Sequence, residues 1–180
     1  MMKLFKTLLL GVTIMAAGGC ATSLDGEDYE NVTPAFSIMS FFDGNVKAWG
    51  IVQNRSGEVV QRFKVDINGR VENNVLTMDE QFDYGVGEGP ASRTWTITPL
   101  ENNRFRGEAN DIDGPAQGQH HGNAFHFSYE MDLPVDDTTY HVAFDDWFWA
   151  FDDKTIMNRS YIKKFGLVMA EITIFMQKQP

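Results

Sequence analysis

From Phe41 onward, apolar and polar residues alternate with a period of two, and clusters of turn residues interrupt the alternation. The pattern predicts strands near 46–53, 59–68, 75–84, 92–99, 104–111, 123–133, 139–150, 154–161 and 167–176. The breaks carry turn chemistry: Ser56-Gly57, Asn68-Gly69, the run Gly85 to Pro90, Asn102-Asn103, Asp113-Gly114-Pro115, Pro134 to Asp137, and Asp152-Asp153. Short connections make successive strands neighbours. No long amphipathic helix is visible. The expectation is an all-β domain of about eight or nine antiparallel strands, closed into an up-and-down barrel that leaves no exposed edge. A two-sheet β-sandwich is the alternative.

Alternation also assigns faces. In 123–133, Phe125, Phe127, Tyr129, Met131 and Leu133 point one way, and His126, Ser128, Glu130 and Asp132 the other. Several polar residues then fall on apolar faces. Glu80 lies with Leu76, Met78, Phe82 and Tyr84; Arg93 lies with Trp95 and Ile97. Pairing around the Gly85–Pro90 turn makes Glu80 and Arg93 cross-strand neighbours. Asp111 follows Phe105, Gly107 and Ala109; Asp146 sits among Val142, Phe144 and Phe148; Asn158 and Ser160 follow Ile156. A buried charge costs several kcal/mol unless it is paired. Three readings stand: a closed ion-pair network that fixes register, a β-bulge that turns Asp146 outward, or a ligand-contacting site with Arg93 at its centre. The candidate ligand-contacting set is Glu80, Arg93, Trp95, Asp111, Asn123, Tyr129, Asp146 and Asn158.

The first residues change the picture. Met1 to Cys20 reads MMKLFKTLLLGVTIMAAGGC. Lys3 and Lys6 precede an apolar run of secretory length, too short to span a bilayer, and small residues lead to the chain's single cysteine. This resembles the bacterial lipobox. The expected organisation is a lipoprotein signal peptide at 1–19, a lipidated tether at 20–40 beginning with acylated Cys20, and a barrel domain at 41–180. Ala21 in place of Asp after the cysteine implies sorting to the outer membrane, on its periplasmic side. A single cysteine excludes an internal disulfide and a cysteine-based metal site. Without Lys3 and Lys6 the chain keeps 13 basic against 25 acidic residues, a net charge of −12. That balance argues against nucleic acid as a partner and against electrostatic docking on anionic lipid.

Other chemistry is weaker. His120-His121 sits in a Gly- and Gln-rich segment, GQHHGN, expected as a loop, and adjacent histidines diverge in extended chain. Asp145-Asp146 and Asp152-Asp153 lack the spacing of a calcium loop. No hydrolase, zinc-protease, P-loop or dinucleotide fingerprint is present, so no cofactor is implied. Trp147, Trp149 and Phe151 share the face opposite Asp146, available to the N-terminal segment, to the barrel or to a membrane interface.

A set of short motifs carries a family resemblance: Phe41-Phe42-Asp43-Gly44, Ala48-Trp49-Gly50, Asp79-Glu80-x-Phe82, Arg93-x-Trp95, Gly107-x-Ala109-x-Asp111, Gly122-Asn123-Ala124, Phe144-Asp145-Asp146-Trp147, Asn158-Arg159-Ser160 and Lys164-Phe165-Gly166. The chain is identified on these as similar to a Gram-negative lipoprotein family, a domain of unknown function, family 3833. The resemblance implies a periplasm-facing lipoprotein and carries no activity. A looser likeness to the lipocalin-like barrels rests on Gly44 to Trp49, with the spacing of their opening motif changed. Three functions follow as expectations: a module that holds a lipid, fatty acid or other small amphipathic molecule in a barrel; a small-barrel enzyme using Asp111 or Asp146 as acid or base; and an envelope protein that docks a partner.

Overall fold

The computed structural model describes residues 24–135 and 137–180. The signal peptide and the Cys20 acylation site lie outside these residues. Among the described residues no helix is long and apolar enough to cross a membrane.

Ten strands form one closed antiparallel barrel. They are β1 (Gly44–Asn54), β2 (Val59–Glu72), β3 (Val75–Val86), β4 (Ser92–Pro99), β5 (Arg104–Glu108), β6 (Asp113–His121), β7 (Ala124–Val135), β8 (Thr138–Ala150), β9 (Thr155–Lys164) and β10 (Leu167–Lys178). Each strand pairs with the next, and β10 closes on β1 through a register that sets Val46 opposite Lys178 and Asn54 opposite Ala170. This is the expected up-and-down topology with more strands than the eight or nine read from the sequence.

The missed strand is β6, whose sequence DGPAQGQHH was read as turn and loop. It lacks large apolar residues because the rings of its neighbours occupy the space. A Cβ on Gly118 would stand 2.7 Å from the Phe125 ring, and one on Gly107 of β5 would stand 2.3 Å from the Phe127 ring. Large residues on β7 thus interdigitate with glycine and alanine on β5 and β6. A second difference is at Asn68-Gly69, read as a break. β2 runs through it, and the chain turns instead at Asn73 and Asn74, both at positive φ. Gly69 is required for a close approach: a Cβ there would lie 1.7 Å from the Phe42 carbonyl oxygen.

That contact seats a plug. A short helix, α1 (Ile38–Phe42), is capped by the Ser37 side chain, which accepts from the Ser40 N–H. Phe36, Ile38, Phe41 and Phe42 are all buried and join the barrel core. Burial of such side chains stabilises by roughly 1.5–3 kcal/mol each. Asp43 accepts from the Val71 N–H, and the Phe36 N–H donates to the Gly122 carbonyl. Part of the segment read as a tether is therefore packed on the domain. Upstream, Tyr29 lies against Trp147 and Trp149 on the outer wall, the first of the three settings considered for these tryptophans, whereas Phe151 stays exposed.

The plug closes the barrel end that carries the β2–β3, β4–β5, β6–β7 and β8–β9 turns. The other end, the mouth, carries β1–β2, β3–β4, β5–β6, β7–β8 and β9–β10. Gly69→Ala is expected to unseat α1 and lose about 1–3 kcal/mol, the usual cost of overpacking. A thermal melt checks this as a fall of several degrees; an unchanged melting point would show that the plug carries no load.

Candidate functional site

Strand parity places a charged group inside the barrel, and pairing assembles it. Glu80 of β3 stands directly opposite Arg93 of β4. The Arg93 Nε and Nη2 both donate to Oδ2 of Asp111, at 2.9 and 2.6 Å. Asp111 does not belong to the expected strand 104–111: β5 stops at Glu108, and Asp111 enters from the β5–β6 turn at the mouth. Its other oxygen, Oδ1, is buried and has no hydrogen-bond partner in the protein. Trp95 lies under the guanidinium, 5.7 Å from ring centroid to Cζ, and packs edge-on against Tyr129. Tyr129 stacks on Phe144 at 4.8 Å.

Asp146 stays inward. Its register opposite Phe127 and Ser160 is unbroken, which removes the reading of an outward bulge. The Ser160 hydroxyl donates to its Oδ1. Ser160 belongs to the cluster although it was not among the candidates; its place on the Ile156–Asn158–Ser160 face was the available signal. Two candidates stand apart. Asn158 is fully buried one step deeper and donates to the Trp147 carbonyl. Asn123 lies at the plugged end, where its Nδ2 reaches the Ala150 carbonyl at 3.5 Å, and it does not join the charged group.

The environment sets the titration of each member. Burial pushes the Glu80 carboxyl up to about 7; Arg93 opposes this, and Asp111 and Asp146 add to it. Glu80 keeps accessible surface, but its inward placement opens that surface onto the barrel interior. Burial likewise raises Asp146 to about 7 against the pull of Ser160 and Arg93. Arg93 loses some basicity to burial and regains more from Tyr129, Asp111 and Glu80, so it stays cationic. On the outer face, Asp145 shows the opposite behaviour. Burial there is outweighed by hydrogen bonds from His126 (2.8 Å) and Lys163, and its carboxyl is held at about 2.

Inward residues toward the mouth are mixed: Phe82, Tyr84 and Ile172 are only partly buried, whereas Phe63, Met131 and Val142 are buried. Outside, a groove of about 600 Å³ runs between Trp49, Ile51, Met157 and Phe175 on one side and Arg62, Lys64 and Asp83 on the other. It does not include the Arg93 group. His121 is engaged by Glu30 at 2.9 Å and by the Trp147 ring, and no group of three or more His, Cys, Asp or Glu among the described residues is placed to hold a metal.

The fold and site together define a single closed β-barrel with a paired arginine in its interior. The chain belongs to the family described as "Protein of unknown function (DUF3833)", whose model matches residues 14–178. No curated protein matches it. Among solved structures it is similar to the S-type phycobiliprotein lyase CPES from Guillardia theta, at 12% identity and a TM-score of 0.56, covering 81% of this chain and 94% of that one. That likeness is one of fold.

Both raised carboxyls bind their protons more tightly in the folded chain than in the unfolded one. The folded state therefore carries extra protons from pH about 4 to about 7, and its stability falls as pH rises through that window. His141, raised by Asp132, adds a slope of the same sign, so a variant provides the readout. The melting point is expected to drop by several degrees from pH 5 to pH 8. Glu80→Gln with Asp146→Asn should flatten that drop, and an unaltered slope would place the titration elsewhere.

Proposed function

We propose that this protein is an outer-membrane lipoprotein, anchored through acylated Cys20 on the periplasmic side, that holds a small apolar or amphipathic molecule, a lipid or fatty acid, inside its barrel. One observation carries the binding reading. The Arg93–Asp111 pair lies toward the unplugged end, beside inward apolar side chains that keep accessible surface, and it leaves a buried acceptor, Asp111 Oδ1, unused. Such a combination suits a molecule with an apolar body and a polar head. Glu80 and Asp146, both near half-protonated at neutral pH, relieve the repulsion that three carboxylates would exert on an anionic head. The head that fits both accepts from Arg93 and donates to Asp111. The fold likeness to the phycobiliprotein lyase supports a barrel of this outline and says nothing of the ligand.

A second reading is favoured by Asp146. A buried carboxyl at about 7, hydrogen-bonded to Ser160, is suited to general acid or base work on the same class of molecule.

Native mass spectrometry of protein purified gently from the envelope, with lipid extraction of the same sample, tests both readings. A stoichiometric adduct is expected, depleted about tenfold in Arg93→Met and kept in Trp49→Ala, with melts confirming that both variants fold. Conversion of the extracted molecule on incubation would favour the enzyme. Loss in Trp49→Ala alone would move the site to the outer groove. A clean apo mass with no uptake from an envelope lipid extract would end the carrier reading.

A further inference from the structure

Large apolar side chains left exposed on this barrel are not scattered. Of the thirteen among the described residues, eight lie at the mouth. Val135 and Tyr140 flank the β7–β8 turn, and Phe165, Leu167 and Met169 flank β9–β10. Val59 and Val60 continue the arc at β1–β2, and Val86 at β3–β4. These four turns are neighbours around the barrel; the fifth, β5–β6, is the acidic one that supplies Asp111.

Phe165 stands out within the arc. It is 92% exposed and sits at φ 53°, in the left-handed region. Among the described residues the other left-handed non-glycine positions are Asn73, Asn74, Asn102 and Asn103, all at the plugged end. Asparagine tolerates that backbone; a phenylalanine costs about 1–2 kcal/mol more and gains no burial in exchange. Its ring has a use outside the barrel. Lys164 holds its ammonium 4.7 Å over the Tyr140 ring and 5.5 Å over that of Phe165. Aromatic rings with an adjacent lysine, apolar body and charged tip together, match the layered polarity of a bilayer surface. Acidic groups outnumber basic ones around the mouth, with Glu58, Glu88, Asp111, Asp113 and Asp137 against Arg55, Lys163 and Lys164, which suits a zwitterionic surface rather than an anionic one.

We propose that the mouth of the barrel docks on a phospholipid bilayer, with Phe165 inserted and Tyr140, Leu167 and Val135 seated at the headgroup level. The orientation rests on the anchored reading above. Leu24 packs on the outer wall against the cluster of Ala124, Trp147 and Tyr161, on which Val168 also packs, and four further residues lead back to Cys20, a reach of at most about 14 Å. Val168 of that cluster adjoins Leu167 of the mouth arc, so the lipidated end leaves from a stretch of wall that continues to the mouth. A bound lipid would enter or leave directly through the docked end.

The test uses the full chain made in a Gram-negative host and purified from its envelope. Its intact mass reports first whether Cys20 is acylated, which separates failure of the anchor reading from failure of this one. The protein is then mixed with phosphatidylcholine vesicles containing a fraction of doxyl-labelled lipid. A fluorophore sits at Val135→Cys on the mouth or at Phe151→Cys on the plugged end. Quenching at 135 is expected to exceed that at 151 at least about threefold. Adding Phe165→Glu to the 135 reporter should reduce its quenching to the level at 151, with the acyl mass and melting point unchanged. Equal quenching at the two sites, or stronger quenching at 151, would overturn the docking whether or not Cys20 is acylated. So would quenching at 135 that survives Phe165→Glu. Quenching at 135 in a protein lacking acylation would uphold docking and discard the anchor.

Discussion

Arg93 puts a permanent positive charge on the inner wall of a closed barrel, and much of the interior is arranged around that fact. A guanidinium cannot neutralise itself as a buried lysine can, so it must be paired or solvated. The barrel pairs it from three directions. Asp111 takes two of its N–H groups, Glu80 stands opposite in register, and Trp95 and Tyr129 present rings and a hydroxyl. Asp111 reaches it only because β5 ends early and the turn folds inward. The short fifth strand is thus part of the same arrangement as the charge.

The two ends of the barrel solve different problems. At the plugged end, Phe36 with Phe41 and Phe42 of α1 fills the bore; Gly69 has no room for a side chain against the Phe42 carbonyl, and Gly122 has none against the carbonyls of Tyr29 and Glu30. At the mouth no segment comparable to α1 fills the bore among the described residues, and some inward residues, Phe82, Tyr84 and Ile172 among them, keep accessible surface. Apolar side chains that would be surplus on a soluble rim are concentrated there. The polar group sits between the sealed bore and this rim, so its communication with the surroundings runs through the mouth.

Period-two alternation was enough to read the closed antiparallel fold and the opposition of Glu80 and Arg93, because a strand's faces follow from residue parity alone. Reading failed where glycine stood for space rather than for a turn. Gly69 marked a contact with α1, and Gly118, with Ala116 beside it, marked the volume taken by phenylalanines of β7. Such residues look like breaks until the partner is known, which is why β6 was invisible. The site was legible in part for the same reason. Strand-borne members came together by register; Asp111 came by way of a turn whose path alternation does not encode. Asn123, inward and polar, belongs to the wrong end, and parity cannot tell height along the barrel axis.

Asp145 and Asp146 show how thin the boundary is on which this depends. They are consecutive, chemically identical, and separated by one step of the pleat. Asp145 faces out to Lys163, His126 and the Trp147 Nε1–H, and its carboxyl is held at about 2. Asp146 faces in, with one serine hydroxyl and a cation it shares with other carboxyls, and rises to about 7. The difference is not in the residues but in what each side of the wall offers a negative charge. Outside, a lysine, an imidazole and an indole N–H more than offset the loss of water. Inside, a single arginine is divided among Asp111, Glu80 and Asp146, and the last two are left on the edge of protonation. An interior so balanced changes its charge with small changes in what occupies it. Any polar group that enters through the mouth and engages Arg93 must shift the protonation of Glu80 and Asp146, and protonation of those two must in turn shift how well it is held.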